Sequence, residues 1–182
     1  SIFNICITTP QVPANNECIN AVPLPIDPDA TTDPLQQFTT NLATFTGVPT
    51  CNVFANDVWF SFVAPAEPVS VEVNGLNANP AVEILTGSCG SLTSVMCNGT
   101  TASNLNNVVN TNGLSAGTTY FIRVSSTGFS LPMEFKIKVY KSLSAKLNSS
   151  VDSVCLTSNL VQNPGFEDDL FLHTSFIGSA NP

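Results

Sequence analysis

The chain has 182 residues, with 13 acidic and 5 basic side chains, a formal net charge of −8, and only 10% of its residues charged. The hydrophobic fraction of 43% is that of a globular chain and not of a disordered one. The negative balance repels phosphate backbones and anionic membrane surfaces, so nucleic acid and membrane insertion are excluded as partners. No apolar run approaches the ~20 residues of a transmembrane helix. With so few charges, the polar surface must be built from Asn, Thr and Ser, as in extracellular β proteins. Ser1 opens directly into Ile-Phe-Asn with no basic leader, so the chain is read as already processed.

Six cysteines, Cys6, Cys18, Cys51, Cys89, Cys97 and Cys155, form an even set without a C-x-x-C pair, and the only histidine is His173. That pattern predicts a disulfide framework and argues against zinc or a thioredoxin-type motif. Fifteen pairings are open for six cysteines. Cys89–Cys97 is expected first, because the flanks of the two residues fit one tight excursion between strands. Cys18–Cys51 is expected next. Cys6–Cys155 follows by elimination and would tie the ends of the domain together.

In chain order, the opening region carries Pro10, Pro13, Pro23, Pro25, Pro28 and Pro34, and predicts extended segments and loops. Residues 57–63 carry the only tryptophan, Trp59, with apolar character on both faces, as a buried strand has. Residues 69–73 alternate cleanly, with Val69, Val71 and Val73 inward and Ser70 and Glu72 outward. Further strands are predicted over 81–85, 92–96, 118–125 and 134–140. In the last of these Phe135, Ile137 and Val139 point in while Lys136 and Lys138 point out. Gly113 to Gly117 reads as a turn. Short strands with turns at this spacing predict an all-β, jelly-roll-like β-sandwich stapled by disulfides. The texture changes after Tyr140. The expected division is a lead segment over 1–12, the sandwich over 13–141, a linker over 142–158, and the first strand of a second β domain over 159–182.

Four stretches carry a family resemblance: Asn15-Asn-Glu-Cys-Ile-Asn-Ala-Val-Pro-Leu24, Asn56-Asp-Val-Trp-Phe-Ser-Phe62, Leu85-Thr-Gly-Ser-Cys-Gly-Ser-Leu-Thr-Ser-Val-Met-Cys97 and Gly113-Leu-Ser-Ala-Gly-Thr-Thr-Tyr-Phe-Ile-Arg-Val124. In this order they resemble a β-sandwich module of large secreted proteins of gliding Gram-negative bacteria, similar to pre-peptidase C-terminal (collagen-binding-like) domains. The resemblance implies a non-catalytic module that attaches its protein to a surface or polymer, or spaces other domains, in proteins exported by the type IX route. Where that family often has Asn-Asp-Glu-Cys, this chain has Asn15-Asn16-Glu17-Cys18, one carboxylate fewer. Asn159-Leu-Val-Gln-Asn-Pro-Gly-Phe-Glu167 resembles the first strand of a galactose-binding-like carbohydrate-binding module.

Calcium is the cofactor these residues would take. The cation wants six to eight oxygen ligands, and Asn15, Asn16, Glu17 and Asp57 are the candidates. Against that stands the ordinary use of Asn and Asp as turn formers and strand caps. Glu72 and Glu83 are weighed as a carboxylate pair for glycoside hydrolysis and read instead as outward-facing strand glutamates. With a single histidine and no Gly-x-Ser-x-Gly elbow, an enzyme is not expected. Phe121 and Phe129 fall outside the buried faces of their strands and are the candidate binding aromatics, whereas Trp59 is assigned to packing. Asn98 and Asn148 match N-glycosylation acceptors, and Ser153 matches an O-glycosylation acceptor of the same bacterial group. The function expected is a cell-surface or secreted binding and adhesion module for a glycan or a surface protein, part of a multidomain protein. The alternative is a structural subunit or spacer that assembles with neighbouring subunits or domains through strand exchange.

Overall fold

A computed structural model describes residues 9, 11–31, 34–46, 56–99, 104–127 and 132–142. The chain divides into two units, Ser1–Ala145 and Lys146–Pro182. All described residues lie in the first.

That unit is an all-β sandwich. After a short 3-10 turn at Cys18–Asn20 come β1 (Val22–Pro23), β2 (Ile26–Asp27), β3 (Gln36–Thr39), β4 (Asp57–Val63) and β5 (Val69–Gly75). They are followed by β6 (Pro80–Ser88), β7 (Ser91–Asn98), β8 (Asn106–Thr111), β9 (Thr119–Ser126) and β10 (Glu134–Lys141). One sheet has the order β1-β4-β9-β6-β7, and the other has β2-β10-β5-β8 with β3 also paired to β10. The long pairings are antiparallel. The two-residue strands β1 and β2 add in parallel to β4 and β10.

The period-2 pattern places the core. Val58, Phe60 and Phe62 of β4, Val82 and Ile84 of β6, and Tyr120, Ile122 and Val124 of β9 point to the middle from one sheet. Val69, Val71 and Val73 of β5, Val109 of β8, and Phe135, Ile137 and Val139 of β10 meet them from the other. Phe60 meets Phe38 and Phe135 edge-on, with ring centres 4.7 and 6.0 Å apart. Such edge-to-face pairs add to the burial of the rings themselves. The turn before β9 is closed by Gly117, at φ 77°, a conformation that only glycine adopts without strain. Tyr120 holds the same turn by accepting the Ser115 backbone N–H at its hydroxyl, 3.0 Å away.

The predicted strands and their inward faces are as observed. The sequence predicts no strand at β1, β2, β3 or β8. The last of these, Asn-Asn-Val-Val-Asn-Thr, is rich in a residue that β-sheets disfavour, yet Val109, Asn107 and Thr111 are buried. Asn107 fits there because its side-chain amide donates to the carbonyls of Pro80 and Asn98 in the other sheet, at 2.9 and 2.8 Å.

The disulfide expectation needs correction. Cys18 pairs with Cys89, Cα atoms 5.7 Å apart, so neither Cys89–Cys97 nor Cys18–Cys51 forms. The excursion from Cys89 to Cys97 is a β-hairpin whose strand β7 runs eight residues. That carries Cys97 to Glu83, far along β6 from the turn. Cys97 is itself disulfide-bonded, to a partner outside the described residues. Cys6, Cys51 and Cys155 lie outside them too.

Candidate functional site

The two sheets present very different outer faces. On the β4-β9-β6 face the outward positions are not free. Asp57, Trp59, Glu83, Leu85, Arg123 and Ser125 are all buried, though none belongs to the sandwich core. Register makes a line of four: Trp59 is opposite Arg123, Arg123 opposite Glu83, and Glu83 opposite Cys97. Arg123 forms an ion pair with Glu83 at 2.5 Å and stands 5.8 Å from the centre of the Trp59 ring. Two buried charges are tolerated only when they are paired and hydrogen-bonded in this way.

Segments from earlier in the chain strap this face. The Asn15 amide donates to the Trp59 carbonyl at 3.0 Å, and Trp59 N–H donates back to the Asn15 carbonyl at 2.8 Å. Asn16 accepts the Thr44 backbone N–H at 2.7 Å and donates to Glu17 at 2.8 Å. Asp57 accepts from the Thr46 N–H at 3.2 Å, from the Thr46 hydroxyl, and from the Trp59 indole N–H at 3.0 Å. Burial pushes the Asp57 carboxyl above its usual value, opposed by the Thr46 bonds and the Arg123 charge. Beside these lies an open cleft of about 320 Å³, lined by Glu17, Cys18, Ile19, Thr46, Trp59, Cys89, Gly90 and Leu92. Ile19 is 80% exposed at its rim.

Asn15, Asn16, Glu17 and Asp57 are thus brought to one end of one sheet, as a shared site would need. The Asp57 carboxylate, the Asn16 amide oxygen and one Glu17 oxygen each accept hydrogen bonds from the protein. Among the described residues no three His, Cys, Asp or Glu side chains gather as a metal site does. Glu72 and Glu83 point outward from opposite sheets. Phe121 is half-buried on β9, facing out beside Leu85 and Ser61. Asn98 is half-buried at the end of β7, its carbonyl held by Asn107. Phe129, Asn148, Ser153 and His173 lie outside the described residues.

The outer face of the second sheet is polar and unevenly exposed: Gln37, Asn106 and Asn110 are exposed, Lys136 and Asn74 half-buried, and Asp27 and Ser70 buried. Its rows run across the strands: Gln37, Lys136, Asn74 and Asn106 in one, Lys138, Glu72 and Val108 in the next, and Asp27, Tyr140, Ser70 and Asn110 in the third. Lys138 lies 4.0 Å from Glu72, donates to the Ala30 carbonyl, and stands 5.4 Å from the Tyr140 ring centre. Asn106 donates to Glu72 at 3.5 Å, and the Ser70 hydroxyl meets Asn110 at 2.7 Å and Ser142 at 2.6 Å. At one rim the sheet edge is broken. On that side of β10, β3 takes residues 134–137 and β2 takes 139 and 140, which leaves Lys138 opposite a gap. A hollow of about 250 Å³ sits there, lined by Leu24, Pro25, Asp27, Pro34, Gln36 and Lys138. The sequence reading missed this surface. The alternation of β5 and β10 predicted which side chains face outward, but the partner of each strand is a long-range choice that local pattern does not encode.

The described unit is a two-sheet β-sandwich in which one outer face is strapped by earlier segments and the other is polar. The chain belongs to the galactose binding domain-like family associated with T9SS, the type IX secretion system, whose model matches residues 14–143. The match covers the part of the chain in which the four motifs lie, and the family is a binding-domain type and not a catalytic one. No curated protein matches the chain. Among solved structures, the chain is similar to PliG of Aeromonas hydrophila, a periplasmic inhibitor of g-type lysozyme, at 14% identity and a TM-score of 0.38. That match covers 65% of this chain and 95% of the inhibitor, and at such a score it bears on neither fold nor function. Among the described residues no helix is long and apolar enough to cross a membrane.

Proposed function

We propose that this chain is a non-catalytic binding and adhesion module displayed outside the cell, one part of a longer surface protein, with a glycan or a surface protein as its ligand. The observation that carries this reading is the contrast between the two faces. Straps, a disulfide and a buried ion pair stabilise one sheet, while the other carries polar side chains outward, with the amides of Gln37, Asn106 and Asn110 exposed and Lys136 and Asn74 half-buried. Such an array positions hydrogen bonds without reacting. Membership of a T9SS-associated family supports an extracellular or envelope location.

The test immobilises the folded chain and probes it with a glycan array and with envelope extracts, alongside sedimentation of the free chain. Saturable binding by a monomer, with no release of reducing ends from any bound polysaccharide, is expected. Absence of binding together with self-assembly into filaments would replace this reading with the structural alternative of strand exchange.

A further inference from the structure

We propose that Asn112 is a site of spontaneous deamidation, the Asn-Gly pair that this fold leaves free to react, with water as the only co-reactant. The proposal goes beyond the binding reading above and does not depend on a ligand.

Asn is followed by Gly at three places, Asn74-Gly75, Asn98-Gly99 and Asn112-Gly113. All three lie among the described residues. The chemistry available is the same at each. The glycine nitrogen gives up its proton to solvent and bonds to the asparagine Cγ, and the side-chain nitrogen leaves as ammonia. Water then opens the five-membered succinimide at either carbonyl. Opening at the backbone carbonyl gives isoaspartate, and opening at Cγ gives aspartate. No electrons are exchanged. The rate depends on whether the nitrogen can reach Cγ, and glycine has no Cβ to obstruct that approach.

Two of the pairs are held. Asn74 lies half-buried in the middle of its sheet, opposite Lys136 of β10 and Asn106 of β8. The Gly75 nitrogen donates to the Leu105 carbonyl at 2.7 Å, and the Ala78 carbonyl oxygen fills the space beside Gly75. Asn98 ends β7, half-buried, and its backbone carbonyl accepts from the Asn107 amide at 2.8 Å. The same amide is fixed on its other side by the Pro80 carbonyl. That clamps the peptide group whose nitrogen would have to swing toward Cγ.

The third pair is not held. Asn112 follows β8 and is exposed, as is Gly113. Among the described residues neither the Asn112 side chain nor the Gly113 N–H has a hydrogen-bond partner. Gly113 sits at φ 77°, with nothing near the position a Cβ would take. The residues on either side are anchored. The Thr111 hydroxyl donates to the Val69 carbonyl at 2.8 Å, and Leu114 packs against the core. Conversion adds a carboxylate to a chain already at −8. Isoaspartate also lengthens the backbone by a methylene between the two anchors, so the change accumulates as a mark of the chain's age.

The test is peptide mapping by mass spectrometry after incubation of the whole chain in mildly alkaline buffer, folded and in guanidinium chloride, with isoaspartate methyltransferase as a second readout. In the folded chain Asn112 should convert at least about tenfold faster than Asn74 or Asn98, because a nucleophile held out of line loses about one to two orders of magnitude in rate. In guanidinium chloride the three rates should converge. Asn112→Ser, checked by circular dichroism for an intact fold, should remove most of the methyltransferase signal of the folded chain. Conversion of Asn74 or Asn98 as fast as that of Asn112 in the folded chain overturns the assignment, as does no conversion of Asn112 in the fold while it proceeds in guanidinium chloride. A preference for Asn112 that persists unchanged in guanidinium chloride also overturns it, since the selection would then come from local sequence and not from the fold.

Discussion

Arg123 lies directly across the β4–β9 ladder from Trp59, its guanidinium 5.8 Å from the ring centre, on the outward side of a sheet where both residues are nonetheless buried. The charge is balanced by Glu83 one strand further on, at 1% exposure against 7% for Arg123. Stability of the strapped face therefore depends on a pair that neither residue can leave alone.

Removing one partner strands the other. Arg123→Ala should cost about 3–5 kcal/mol, because Glu83 is left as an uncompensated buried charge. The double variant Arg123→Met/Glu83→Leu should recover most of that loss. Urea denaturation of the three proteins checks it, and equal destabilisation by the single and double variants would contradict the account.

Asp57 titrates against its burial. Its pKa is raised above the ordinary 3.8 chiefly by desolvation, so between that value and the raised one the folded chain binds more protons than the unfolded chain. Stability from this group therefore rises as pH falls through the folded pKa, and at neutral pH the charged carboxylate is a net cost. Asp57→Asn keeps an oxygen for Thr46 and Trp59. It should leave the neutral-pH melting temperature unchanged or raise it, and flatten the dependence on mildly acidic pH. A melting series from pH 4 to 7 decides the matter.

The Cys18–Cys89 bond closes a separation of 71 residues. Loop-closure entropy predicts that Cys18→Ser/Cys89→Ser loses about 4 kcal/mol. Because the bond also holds the strap next to Trp59, indole fluorescence should shift to the red before the global transition in this variant. Coincident fluorescence and circular-dichroism curves would show that the strap does not loosen separately.

Chelation is expected to do little. Asp57, Asn16 and Glu17 already accept hydrogen bonds within the protein, so EDTA should leave the melting temperature where it was. A rise of several degrees on adding millimolar calcium would establish a bound cation at this end of the sheet.

How much of this was legible beforehand differs from residue to residue. Alternation in 69–73 and 134–140 predicted which side chains enter the core, because a strand has only two faces and the apolar one must be covered. The same alternation sent Lys136, Lys138 and Glu72 to one side. By itself the sequence thus determined the all-β class, the core faces and the presence of disulfides. Only the tertiary structure decided which cysteine meets Cys89, that β8 forms at all, and that Arg123 rests between Trp59 and Glu83. Each of these depends on contacts between residues 32 to 71 apart in the chain, and their energies come from burial and register, which local pattern does not carry. The polar outer face of the second sheet belongs to the same class: its residues were visible in the sequence, and the sheet alone made them neighbours.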